Sequence, residues 1–131
     1  MRLAPISAHE LVAVARYGIE EISPGELQRR VKSGARLIDV REPAEFAAGH
    51  IAGAVSIPRG VLEFQVDAPP ASGGAAGSIP REHPIVVYCR SGGRAALAVQ
   101  SLEGMGFHAV ASLAGGILDW QNEGRPLVMG D

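Results

Sequence analysis

One stretch of the chain restricts its fold more than any other: Pro84-Ile85-Val86-Val87-Tyr88, then Cys89-Arg90-Ser91-Gly92-Gly93-Arg94, then Ala95-Ala96-Leu97-Ala98-Val99-Gln100-Ser101-Leu102. Successive β-branched residues without polar alternation describe a strand covered on both faces, lying centrally in a parallel sheet. The alanine-rich stretch after the loop closes around Gly104 and Gly106 and reads as a buried helix. Strand, loop and buried helix in that order commit the region to an α/β arrangement.

The alternation extends on both sides. Ser7-Ala8-His9-Glu10 has capping-box spacing, which predicts a helix over Ala8–Tyr17 that Gly18 ends in a left-handed turn. A short extended segment is expected at 19–22. Ser23-Pro24-Gly25-Glu26 then supplies a cap, a proline at the first helical position and a glutamate for a helix over Pro24–Lys32. Gly34 breaks that helix, Arg36-Leu37-Ile38-Asp39-Val40 reads as a mostly buried strand, and Pro43–Ala48 as a short helix stopped by Gly49. Ala54-Val55-Ser56-Ile57 is a compact strand closed by Pro58. A helix at 61–66, a strand over Val110–Leu113 and a last helix at 117–123 complete the series. Repeated strand and helix order implies parallel strands with helices on both faces.

One segment breaks the pattern. Ala68-Pro69-Pro70-Ala71-Ser72-Gly73-Gly74-Ala75-Ala76-Gly77-Ser78 has no large side chain and no charge, which predicts a flexible loop. Neither half of the chain carries a complete core, so the loop is read as an insertion at about 68–80 within one domain. A length of 131 residues suits one domain.

Composition excludes several function classes. Twelve basic against 14 acidic side chains give a net charge of −2, so no broad positive field exists to hold a phosphate backbone and nucleic acid is not an expected partner. Lys32 is the only lysine, so an anion site would be built from arginines. Cys89 is the only cysteine, which excludes an intramolecular disulfide and a zinc site of several thiolates; no metal or other cofactor is expected. The first ten residues hold Arg2 and Glu10 and lack the apolar stretch of a secretory signal. No uninterrupted apolar run of about 18 residues predicts a membrane span. The expectation is a cytoplasmic protein without membrane association.

Chemistry concentrates at Cys89. A lone cysteine is in general an inert, buried small hydrophobe. Here it falls at the carboxyl end of the strongest strand, where open parallel sheets bind ligands. Ser91, Gly92 and Gly93 allow the backbone to curl with its N–H groups inward, and the helix starting near Arg94 adds the positive end of its dipole. Donors and dipole favour a thiolate nucleophile at Cys89. Arg90 and Arg94 bracket the loop as solvated charges or as guides for an anionic substrate, Arg94 the stronger candidate. A Walker-type phosphate loop does not fit, since no Gly-Lys-Ser/Thr ending follows. His9, His50, His83 and His108 are isolated in sequence and make weak general-base candidates.

Three ordered segments resemble the rhodanese family. Leu37-Ile38-Asp39-Val40-Arg41-Glu42 with Glu45-Phe46 and Gly49-His50-Ile51-Ala52-Gly53-Ala54-Val55-Ser56-Ile57-Pro58 is similar to its first signature. Val86 to Arg94 resembles its active-site segment, and Leu113-Ala114-Gly115-Gly116-Ile117-Leu118-Asp119-Trp120 its closing segment. The resemblance implies a three-layer α/β/α sandwich around a five-stranded parallel sheet, with residues 1–18 as an N-terminal helical extension and 19–131 as the rhodanese-like domain. It also implies a sulfurtransferase in which Cys89 takes sulfur from thiosulfate or a persulfide donor and passes it to cyanide, a thiol acceptor or a protein partner. Arg90, Ser91, Gly92, Gly93 and Arg94 would bind the substrate, their N–H groups holding the persulfide without a histidine. Asp39, Arg41, Glu45 and His50 are expected to form a structural brace at the strand ends, and Trp120 and Phe107 to fill the core.

Two other classes compete. A phosphatase or arsenate reductase on a related scaffold would use a longer Cys-x5-Arg loop, which places arginine at position 95, where the chain has Ala95. A non-catalytic binding module would not require Cys89.

Overall fold

A computed structural model describes residues 3–68 and 77–130. The elements run α1 (Ala8–Tyr17), β1 (Glu20–Ile22), α2 (Pro24–Lys32), β2 (Arg36–Asp39), α3 (Pro43–Ala48), β3 (Val55–Ser56), a 3-10 turn (Arg59–Val61), α4 (Leu62–Gln65), β4 (Ile85–Tyr88), α5 (Gly93–Gly104), β5 (Val110–Leu113) and α6 (Gly116–Asn122). The five strands form one parallel sheet in the order β1-β5-β4-β2-β3, with β4 at the centre. The α/β class and the five-stranded parallel sheet therefore stand as expected.

Local sequence explains the element ends. Ser7 Oγ accepts from the Glu10 N–H at 3.0 Å while Glu10 Oε1 accepts from the Ser7 N–H at 2.9 Å, a complete capping box. In α2 only half of that arrangement forms. Ser23 Oγ accepts from the Glu26 N–H at 3.2 Å, but the Glu26 carboxylate turns to Arg29 and Arg30. Gly18 corrects an expectation: its φ is −106°, so α1 closes without a left-handed residue, its N–H bonding the Ala15 carbonyl. The 61–66 helix is shorter than expected and begins as the 3-10 turn.

Adjacent residues of the buried strands serve opposite faces. Ile38, Ile85 and Val87 point with Leu62, Val66, Ala98, Val99 and Leu102 into one core, beneath α4 and α5. Leu37, Val86, Tyr88, Ala111 and Leu113 meet Leu27, Ile117 and Trp120 of α2 and α6 on the other. Trp120 and Phe107 are both buried, Trp120 donating its indole N–H to the Pro126 carbonyl. α1 packs against α5. Behind α3 the chain's end forms a small clasp, His50 and Val128 exchanging two N–H···O bonds of 2.8 Å in an antiparallel bridge.

The expected flexible insertion at about 68–80 lies, over 69–76, outside the described residues. Its far boundary comes earlier than expected: Ile79 is buried in the α4 and α5 core, and its N–H bonds the Val66 carbonyl at 3.1 Å. A branched apolar side chain with room beneath α4 is drawn into the core, and the segment is anchored there.

Candidate active site

Cys89 follows β4 directly and begins a tight loop that ends in α5. Gly92 sits at φ +113°, a conformation that disfavours any side chain, and it is the N-cap of α5 without a capping group of its own. The first N–H groups of a helix have no intrahelical partner. The sulfur fills that vacancy. Cys89 Sγ accepts from the Gly92 N–H at 3.1 Å and from the Ala95 N–H at 3.4 Å, so the thiol group serves as the cap of α5 and lies at the positive end of its dipole. Cys89 is 1% exposed.

The donors differ in part from those expected. The expected donors are the N–H groups from Arg90 to Arg94; of these Gly92 bonds the sulfur, and the second donor is Ala95, one residue beyond. Its position as third residue of α5 is the signal that identifies it, since that N–H is the one a capping atom normally takes.

The loop's carbonyls are held from the opposite side. Cys89 O accepts from the Ile117 N–H at 2.9 Å and Arg90 O from the Leu118 N–H at 3.2 Å, both in the first turn of α6. Gly115 and Gly116 have φ of +71° and +64°, and a Cβ on Gly116 would overlap the carbonyls of Arg90 and Cys89. With carbonyls drawn toward α6, N–H groups of the loop face the sulfur. In the sequence Gly115-Gly116 stands out only as part of the closing segment, and this seat is not foreseen; paired glycines opening a helix without a capping side chain are the available sign.

The side chains at the strand ends divide into separate groups instead of one brace. Asp39, fully buried, takes a forked ion pair from Arg41, with Nη2 to Oδ2 at 2.7 Å, and Arg41 Nη2 also donates to the Gly49 carbonyl at 2.7 Å. His50 is buried, stacks on Phe46 and places Nδ1 2.9 Å from the Phe46 carbonyl. Tyr88 accepts the Ile51 N–H at 3.1 Å; burial, and next the charge of Asp39, push its hydroxyl above the usual range. Glu45 leaves this group. Its carboxylate pairs with Arg94, Oε1 to Nη1 at 2.7 Å and Oε2 to Nη2 at 3.2 Å. Arg94, expected as a guide for an anionic substrate, is thus engaged by a carboxylate from α3. The Arg94 guanidinium holds the Glu45 carboxyl down to about 2.

Arg90 and Ser91 are exposed. Among the described residues no histidine bonds the sulfur: His50 turns to Phe46, His83 Nε2 to the Gly34 carbonyl, and His9 and His108 are exposed. No cluster of three or more His, Cys, Asp or Glu able to hold a metal occurs among them. No helix among them is long and apolar enough to cross a membrane.

The rhodanese-like domain model matches residues 23–123, from the cap of α2 to the end of α6. The chain belongs to the rhodanese family. It is 32% identical to a sulfurtransferase of Allochromatium vinosum over 84% of this chain and 95% of that protein. Longer relatives also match: the chain spans 25% of MoeZ of Mycobacterium tuberculosis, named a probable adenylyltransferase/sulfurtransferase, at 35% identity over 80% of this chain. A human single-domain sulfurtransferase superposes with a TM-score of 0.73 at 33% identity, covering 81% of this chain and 98% of that one. A Rhodopseudomonas palustris protein, described as of unknown function and a possible tyrosine phosphatase, superposes with a TM-score of 0.77 at 28% identity, covering 98% of both chains. Family and relatives together make this rhodanese-type chain a transferase of the sulfurtransferase kind.

Proposed function

We propose that the chain moves sulfane sulfur through a persulfide on Cys89, from thiosulfate or a persulfide donor to cyanide or a thiol. The observation that carries this reading is the sulfur's place as cap of α5, with two backbone N–H groups aimed at it. The Cys89 thiolate attacks the outer sulfur of thiosulfate; the S–S bond of the donor breaks and sulfite leaves with its electron pair. An acceptor thiolate or cyanide then attacks the outer sulfur of the persulfide, and the electron pair of that S–S bond returns to Cys89. Covalent catalysis divides one transfer into two easier ones, and N–H groups already oriented need no reorganisation as charge moves onto sulfur.

The remaining loop residues follow from exposure. Arg90 and Ser91 face solvent and meet the donor's anionic end first, while Arg94 is shared between Glu45 and the donor. Asp39, Arg41 and His50 support the strand ends. A single cysteine without a disulfide suits a reducing compartment, and we place the reaction in the cytoplasm. A protein that delivers or removes sulfur is a further partner consistent with an exposed loop.

Incubation with thiosulfate and intact-mass measurement test the reading. The wild type gains the mass of one sulfur atom and loses it on addition of cyanide, and Cys89→Ser gains nothing. Absence of the gain in the wild type, or equal turnover in Cys89→Ser, overturns the assignment.

A further inference from the structure

The helix α1 precedes the segment that matches the family, yet it packs on α5 beside the Cys89 loop. Between them lies an open cavity of about 620 Å³, within the size range of small-molecule sites. Val12 and Ala13 of α1 supply an apolar wall, and the loop supplies Ser91 and Gly93. Those two residues flank Gly92, whose N–H bonds the sulfur, so the cavity reaches the loop on both sides of a donor. Val12 faces the loop there: a Cβ on Gly93 would meet its Cγ2 at 3.7 Å, an ordinary van der Waals contact.

One charged side chain, Arg16, lines the cavity beside the His9 imidazole, and among the described residues no carboxylate does. Arg16 uses Nε and Nη2 for Glu21, at 3.1 and 3.4 Å, and among the described residues Nη1 has no partner. An apolar wall with a cationic rim suits a ligand that has an aliphatic body and an acid group.

We propose that this cavity is the acceptor subsite, and that it takes a low-molecular-weight thiol with an aliphatic body and a carboxylate. The inference rests on the sulfur-transfer reading above and assigns the acceptor class to α1. Bound there, the thiol would lie along the loop that carries the persulfide, and its thiolate would attack the outer sulfur, returning the electron pair to Cys89. Cyanide is too small to draw on the cavity, which separates the two acceptors experimentally.

Persulfide on Cys89 is first verified by mass, and its discharge is then followed with cyanide, mercaptohexanoate and aminohexanethiol. The wild type is expected to favour mercaptohexanoate over aminohexanethiol by about tenfold in kcat/KM, as charge complementarity at a partly desolvated rim dictates. Ala13→Phe fills the cavity from an exposed position and is expected to lower the ratio of mercaptohexanoate to cyanide turnover by about tenfold. Arg16→Gln is expected to reduce the preference for the acid. Tyr17→Ala, on a residue outside the cavity, leaves both ratios unchanged. If persulfide forms but Ala13→Phe leaves the ratio unaltered, or the amine is accepted as well as the acid, the subsite is overturned and an acceptor of another kind, such as a protein thiol, is favoured. If no persulfide forms, the sulfur-transfer reading itself fails.

Discussion

The carboxylate of Glu45 and the guanidinium of Arg94 meet at 2.7 Å although they stand 49 positions apart in the sequence. Each lies in the first turn of its helix, Glu45 in α3 after β2 and Arg94 in α5 after β4, and β2 and β4 are neighbours in the sheet. The pair joins the first turns of two helices at the strand ends, beside the Cys89 loop.

Acid titration reads this pair directly. The Glu45 carboxyl is lowered from 4.5 to about 2, chiefly by its hydrogen bonds to Arg94. A lowered carboxyl contributes stability above its unfolded value and loses it as pH falls through the folded one. Stability of the wild type should therefore decline between about pH 4.5 and 2, and Glu45→Gln should decline less over that window. Chemical denaturation at a series of pH values measures the difference, which stays modest because both side chains are about one-third exposed.

Donor kinetics report the same pair. Arg94→Ala is expected to raise KM for thiosulfate by about tenfold, since it removes a cation and leaves Glu45 without its partner. Glu45→Gln is expected to lower that KM, and the double variant to recover part of the loss. An unchanged KM in Arg94→Ala would remove Arg94 from the donor site.

Gly116→Ala tests the seat under the loop. The new Cβ would collide with backbone carbonyls of Arg90 and Cys89 at a positive φ, so neither a rotamer change nor a small side-chain shift relieves it. A loss of about 2 kcal/mol or more is expected, with sulfur transfer falling along with the loop geometry. Thermal unfolding and thiosulfate turnover of the same preparation check both.

Arg41→Ala leaves the fully buried Asp39 carboxylate with the Arg41 N–H but without its cation. Stranding one partner of a buried pair costs about 3 to 5 kcal/mol, and equilibrium denaturation should show a loss of that order. The Arg41 Nη2 bond to the Gly49 carbonyl is lost as well, which loosens the C-terminal end of α3.

Loop length should govern which group the sulfur can serve. Inserting one glycine between Gly93 and Arg94 lengthens the ring and displaces the Ala95 N–H from Sγ; thiosulfate turnover is expected to fall by at least about tenfold. The wild type should show no appreciable hydrolysis of an aryl phosphate, whose oxygens need several donors at once. Intact turnover after the insertion, or efficient phosphate ester hydrolysis by the wild type, would show that ring size does not select the substrate.

Element order, the central place of β4 and the two serine caps could be read from residues within a few positions of one another. Their causes are equally local: β-branched runs, a hydroxyl three residues before an N–H, proline at the first helical position. Cys89 and its small-residue loop were legible for the same reason, as a short continuous segment ending a strand. Tertiary structure alone decided what that loop touches. The pairing of Arg94 with Glu45, the use of α6 N–H groups by the Cys89 and Arg90 carbonyls, and the placement of α1 beside Ser91 and Gly93 all join segments distant in sequence. They depend on which strand ends the sheet order β1-β5-β4-β2-β3 brings side by side, and one residue's partner in such a contact is set by that packing, not by its neighbours along the chain.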